Sequence, residues 1–173
     1  HSGMPSLAEL ARRQTLLGED DVAHLQRLVA SWGLLADLCF ADLLLFAPES
    51  GDGVDRAEDR FVILGQIRPT TSQTLYRSDW VGVTVTERDR PQVVRSYRLD
   101  ELIEGELEVS ALRERVRVQC IPVRHGGRIL AVLTRESTPS IGRAPGELER
   151  TYVELFNRFA RMISAGDFPF ADE

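Results

Sequence analysis

The stretch that most constrains this chain runs from Val116 to Thr134. Val116, Val118 and Cys120 alternate with the polar Arg117 and Gln119, the period-two pattern of a strand with one buried face. The chain then crosses Pro122, reaches His125-Gly126-Gly127 and returns as the apolar run ILAVLT (129–134). Adjacent glycines supply the positive φ that a tight hairpin turn needs, so the pattern predicts an antiparallel pair. A hairpin this apolar has to be covered, which sets the question for the rest of the sequence.

Two long amphipathic segments can do the covering. Val22, Leu25, Val29, Trp32, Ala36 and Cys39 recur in steps of three and four, which predicts a helix from Asp20 or Asp21 to about Cys39. Leu28 and Leu35 widen its apolar stripe enough for contact with both a sheet and a second helix. Near the other end, Leu148, Tyr152, Leu155, Phe159 and Met162 mark a helix over about 147–164, closed by Gly166. Ser6 with Glu9 three residues on reads as the cap of a shorter helix over 6–15. The heptad spacing of Leu148, Leu155 and Met162, and of Val22, Val29 and Ala36, suits either a helical dimer seam or plain packing on the sheet.

Between the helices, DLLLFA (42–47) predicts a buried strand and 61–68 a second, joined by the polar loop ESGDGVDRAEDR (49–60). WVGVTV (80–85) reads as strand, 70–78 as loop and 100–113 as a connection. In PQVVRSYRL (91–99), Pro91 favours a helix start while Val93-Val94 favours a strand. The expected fold class is α+β, an antiparallel sheet with the terminal helices on one face.

Composition then excludes several functions. All 21 positive residues are arginine, set against 27 acids for a net charge of −6, so the chain as a whole offers no cationic footprint for nucleic acid or for an anionic membrane surface. Without lysine there is no G-x-x-x-x-G-K-[ST] phosphate loop and no Schiff-base chemistry. No stretch approaches the ~20 apolar residues of a membrane helix. Cys39 and Cys120 match no C-x-x-C spacing, which suggests reduced thiols in a cytoplasmic protein. No catalytic group, metal site or cofactor is expected in this chain.

The candidate chemistry is therefore that of binding. Arg68-Pro69-Thr70-Thr71-Ser72 places a guanidinium and three hydroxyls at a strand end, suited to an anion or polar ligand, although a loop rich in caps explains it as well. Arg68, Thr70, Thr71 and Cys120 are the expected ligand contacts. Both cysteines also fit simple core packing. His24 reads as a solvated helix residue and His125 as a turn residue.

Four blocks in order, HLQRLVASWGLLADLCFADLLLF (24–46), GQIRPTTSQTLYRSDWVG (65–82), IPVRHGGRILAVLTRE (121–136) and LERTYVELFNRFARMISAGDFP (148–169), resemble the N-terminal sensor domain of bacterial PdtaS-type sensor histidine kinases. The resemblance implies a GAF-like domain, placed here at 4–165. Residues 1–3 read as the remnant of a cleaved tag, and 166–173 as the start of a linker to a PAS domain and a HisKA-2/HWE kinase region. ATP would be handled there, with the phosphoryl group passed to a response regulator that has an RNA-binding output domain. The fragment would sense a small molecule or redox cue, as a homodimer through its terminal helices. The alternative is a dimerisation scaffold whose pocket is filled by its own side chains, such as Trp80, Tyr97 or Phe61.

Overall fold

The computed structural model describes residues 5–39, 41–50, 59–68, 79–109, 114–137 and 147–168. Its elements in chain order are α1 (Leu7–Gln14), α2 (Glu19–Cys39), β1 (Asp42–Pro48), β2 (Arg60–Ile67), β3 (Thr84–Thr86), α3 (Pro91–Leu99), β4 (Ile103–Val109), β5 (Glu114–His125), β6 (Arg128–Ser137) and α4 (Glu147–Ala165). Positions 51–58 of the expected loop over 49–60, and all of the expected loop over 70–78, lie outside the described residues.

The six strands form one antiparallel sheet in the order β3-β2-β1-β6-β5-β4. Beta-1 is an uninterrupted apolar run because it is central and covered on both sides; Leu43, Leu45 and Ala47 enter one core, Leu44 and Phe46 the other. The hairpin forms as predicted. Beta-5 and β6 pair from Arg117↔Ser137 to His125↔Arg128, and Gly126 and Gly127 take φ values of 60° and 78° at the turn.

One face of the sheet carries α1, α2 and α4, which pack on one another and on β1, β2 and β5. The buried stripe of α4 is Phe156, Ala160 and Ile163, one position on from the expected Leu155, Phe159 and Met162, which are only partly buried. A helix that touches both a sheet and a neighbouring helix turns the middle of its apolar arc to the sheet, leaving the heptad residues at the flank. The side chain of Ser6 accepts from the Glu9 amide and starts α1, as its sequence requires.

The opposite face is covered by α3, which contacts β4, β5 and β6. Here the sequence reading needs correction twice. The segment 100–113, read as a connection, contains the edge strand β4, whose glutamates (IEGELEV) mask the alternation of Ile103, Gly105 and Leu107 on the face turned to α3. In 80–85 only the end is strand; Trp80 to Val83 form a turn with Gly82 at φ 90° before the short β3. Pro91 resolves the 91–99 ambiguity in favour of helix, as the first residue of α3.

Candidate functional site

Strand alternation divides the sheet's polar residues between its faces. On β6, Val132, Thr134 and Glu136 face α3, while Leu133 and Arg135 face the helix pair. Glu136 is 0% exposed, deep beneath α3. Arg90, immediately before α3, reaches in to it, and its Nη1 donates to Oε2 at 2.7 Å. Thr134 Oγ1 donates to the same carboxylate oxygen. The Arg90 guanidinium also lies over the Phe46 ring, 5.3 Å from its centroid, and buried Asp42 is the cross-strand partner of Glu136. Charges removed from water are tolerated only when paired and hydrogen-bonded, so this group is a fixed polar centre in an otherwise apolar layer.

Cys120 belongs to the same layer and is 0% exposed. Burial first, and the Glu136 charge second, push its thiol far above the usual range. It therefore stays protonated and is a poor nucleophile, as expected of a core cysteine. The large residues of this layer fill it: Phe61 is buried, its ring meets Tyr97 edge-on at 5.4 Å, and Trp80 packs against the same cluster.

Arg68 is exposed directly after β2, and Thr70 and Thr71 lie outside the described residues. Two strands, β1 and β6, separate β2 from β5, so the backbones at Arg68 and Cys120 are roughly 15 Å apart by strand spacing. The structure does not bring that expected pair together. Cys39 ends α2.

The polar centre connects to the helix face through the strands that carry it. Gln119, next to Cys120, donates from Nε2 to Asn157 Oδ1 of α4 at 3.4 Å and accepts from Arg135 Nη1 at 3.3 Å. Arg135 in turn lies over Phe156 of α4, 5.7 Å from its centroid. A displacement of β5 or β6 beneath α3 thus bears directly on the seat of α4.

At the turn end of the sheet lies a cavity of about 190 Å³, bounded by Leu17, Pro48, Glu49, Tyr97, Arg128 and Leu130 among others. Beside it the structure overturns the expectation for His24, which is 1% exposed rather than solvated, its ring stacked on that of His125 at 4.3 Å. Two patterns in the sequence point to this contact. His24 lies four residues before Leu28 on the broadened flank of α2, and His125 continues the helix-facing series Ile121, Val123. Arg90 gave no such sign, because an arginine before a helix ordinarily lies in solvent. Among the described residues no group of three or more His, Cys, Asp and Glu side chains could hold a metal ion, and no helix is long and apolar enough to cross a membrane.

A family model described as "Histidine kinase PdtaS, GAF domain" matches residues 7–156. The sensor histidine kinase PdtaS of Mycolicibacterium smegmatis is 32% identical over 169 residues, covering 96% of this chain and 32% of that protein. Its namesake in Mycobacterium tuberculosis is 34% identical over 176 residues, covering 98% and 33%. This chain spans about a third of the length of these curated relatives. A solved structure, the sensor region of a sensor histidine kinase, superposes with a TM-score of 0.77 at 32% identity, over 98% of this chain and 57% of that one. The chain belongs to the PdtaS GAF-domain family and is a sensor domain of the histidine-kinase kind.

Proposed function

We propose that this domain is the cytoplasmic input module of a two-component kinase, taking a small-molecule or redox cue at the sheet and passing it on through α4. The observation that supports this is the double-faced use of β5 and β6: Glu136, Thr134 and Cys120 on one side, and on the other Gln119 hydrogen-bonded to Asn157 of α4 and Arg135 lying over Phe156 of α4. Packed elements of this kind shift between discrete arrangements, so a cue favouring one arrangement biases the helix. Within the longer protein, the kinase region would use ATP, and a response regulator would receive the phosphoryl group. The partly buried Leu155 and Met162 on α4 are the residues we assign to a homodimer seam.

The test is autophosphorylation of the full-length protein carrying Asn157→Leu, with melting temperature as a control. A changed rate with an unchanged melting temperature is expected; an unaltered rate overturns the route through α4. We also propose Arg68, with Thr70 and Thr71, as ligand contacts, and Arg68→Gln is the substitution that should weaken ligand capture. A second reading, a ligand-free dimerisation scaffold of the same kinase, is favoured by the filling of the α3 layer by Phe61, Tyr97 and Trp80. Native mass spectrometry separates the two. A co-purified small molecule supports the sensor, and a bare protein of dimer mass supports the scaffold.

A further inference from the structure

The His24 and His125 stack joins α2 to the end of β5, close to the residue that closes α4. His24 comes from α2 and His125 from the last position of β5, and the His24 ring also hydrogen-bonds to the backbone of Arg124. Against that backbone also rests Gly166, which closes α4: a Cβ at Gly166 would lie 3.4 Å from the Arg124 carbonyl oxygen. The His24 Nε2 atom is buried with no hydrogen-bond partner among the described residues. A neutral imidazole tolerates that position, whereas an imidazolium there would hold an unsatisfied donor N–H out of reach of water.

The surrounding charges reinforce the preference. On α2, Arg27 opposes a proton on His24 and Asp21 favours one, but Asp21 is already bonded to Arg128 of β6 at 2.9 Å. On β5, His125 opposes it, while Arg124 is paired with Asp100 at the end of α3 at 3.1 Å. Asp167, following Gly166, is exposed.

We propose that His24 and His125 form an acid-sensitive latch, in which neutral His24 holds α2 to the β5–β6 turn and protonation releases that turn together with the backbone against which α4 ends. The latch is independent of what the domain senses. Its working range follows from linkage. Burial foremost, then the His125 charge, lowers His24 from 6.5 to about 4. An opened latch returns the imidazole to water and to its ordinary proton affinity, so the open form gains population as the pH falls below about 6.5. Between pH 8 and pH 5 that gain amounts to about 30-fold.

The test is NMR of this domain between pH 8 and pH 4, following the imidazole resonances of His24 and His125 and amide exchange over residues 124–129, corrected for the intrinsic effect of pH. Expected are a His24 midpoint near 4 and turn amides that lose protection by about 30-fold at pH 5, while the amide of Leu133 in the sheet centre stays protected. His24→Phe, which keeps an aromatic ring and removes the proton site, should make turn protection independent of pH. His125→Phe should raise the His24 midpoint, since one opposing charge is gone. An ordinary His24 midpoint near 6.5 overturns the latch. So does simultaneous loss of protection at Leu133 and the turn, which would be plain acid unfolding.

Discussion

The two faces of the sheet are built on different principles. Under α2 and α4 the layer is a continuous apolar core, with Leu25, Leu28 and Trp32 of α2 meeting Leu43, Leu45, Leu133 and Phe156. Under α3 the layer is smaller and encloses the Arg90–Glu136 ion pair beside Cys120. Apolar burial is non-directional and adds up by area, so the first face supplies stability. An ion pair in such a place contributes little net stability but demands one geometry, because breaking it leaves a charge without water. The second face is thus the more sensitive to small displacements, which is the property an input surface needs.

Four measurements sharpen or break this comparison. Phe156→Ala, at the centre of the helix face, is expected to cost about 3–5 kcal/mol in chemical denaturation, with the whole domain losing structure in one transition. A cost under about 1 kcal/mol would mean that α4 is loosely seated and that the apolar face is not the stable one. On the other face Glu136→Gln should cost about 3–5 kcal/mol by removing the buried charge that Arg90 pairs with, whereas Arg90→Met combined with Glu136→Leu should be neutral or stabilising. If the double variant is as unstable as the single one, the pair is a source of stability and the contrast between the faces disappears.

The third measurement concerns the buried histidine on the helix face. Folded, His24 stays neutral down to about pH 4, while in the unfolded chain it takes a proton near 6.5. Unfolding therefore takes up a proton in that window: stability is full above pH 6.5, falls as the pH drops, and levels off below about 4, a total of about 3 kcal/mol. Denaturant midpoints across this range should follow that curve, and His24→Phe should flatten it; an unaltered slope would remove His24 from the account. The smallest effect belongs to the periphery, where Ser6→Ala should cost about 1 kcal/mol through the lost cap on α1. A much larger loss would show that α1 is integral to the helix face rather than an attachment to it.

A thiol probe gives a separate check on the α3 layer. Labelling of Cys120 should be slow in the native state and fast once the domain is unfolded.

How much of this was legible beforehand depended on whether the information was local. The hairpin, the cap at Ser6, the central strand β1 and the amphipathic arcs of α2 and α4 follow from periods and turn residues, which neighbours in the chain decide among themselves. Beta-4 is not legible in the sequence, because an edge strand with one face in solvent carries glutamates that resemble a polar connection. Of the expected ligand residues, Arg68 and Cys120 each satisfied a local rule, yet two intervening strands keep them apart. The polar centre beneath α3 escaped because Arg90, Thr134 and Glu136 are separated by up to 46 residues and are ordinary where they stand.

By itself, then, the sequence determined the class of fold, the direction of its apolar faces and, through four ordered blocks, its kinship with the PdtaS sensor domains. Only the tertiary structure decided which charged and titratable side chains are buried together. Hydrophobic periodicity is written along the chain, but the burial of a charge is settled by what folds over it, and for Glu136 and His24 those partners are α3 and the β5–β6 turn.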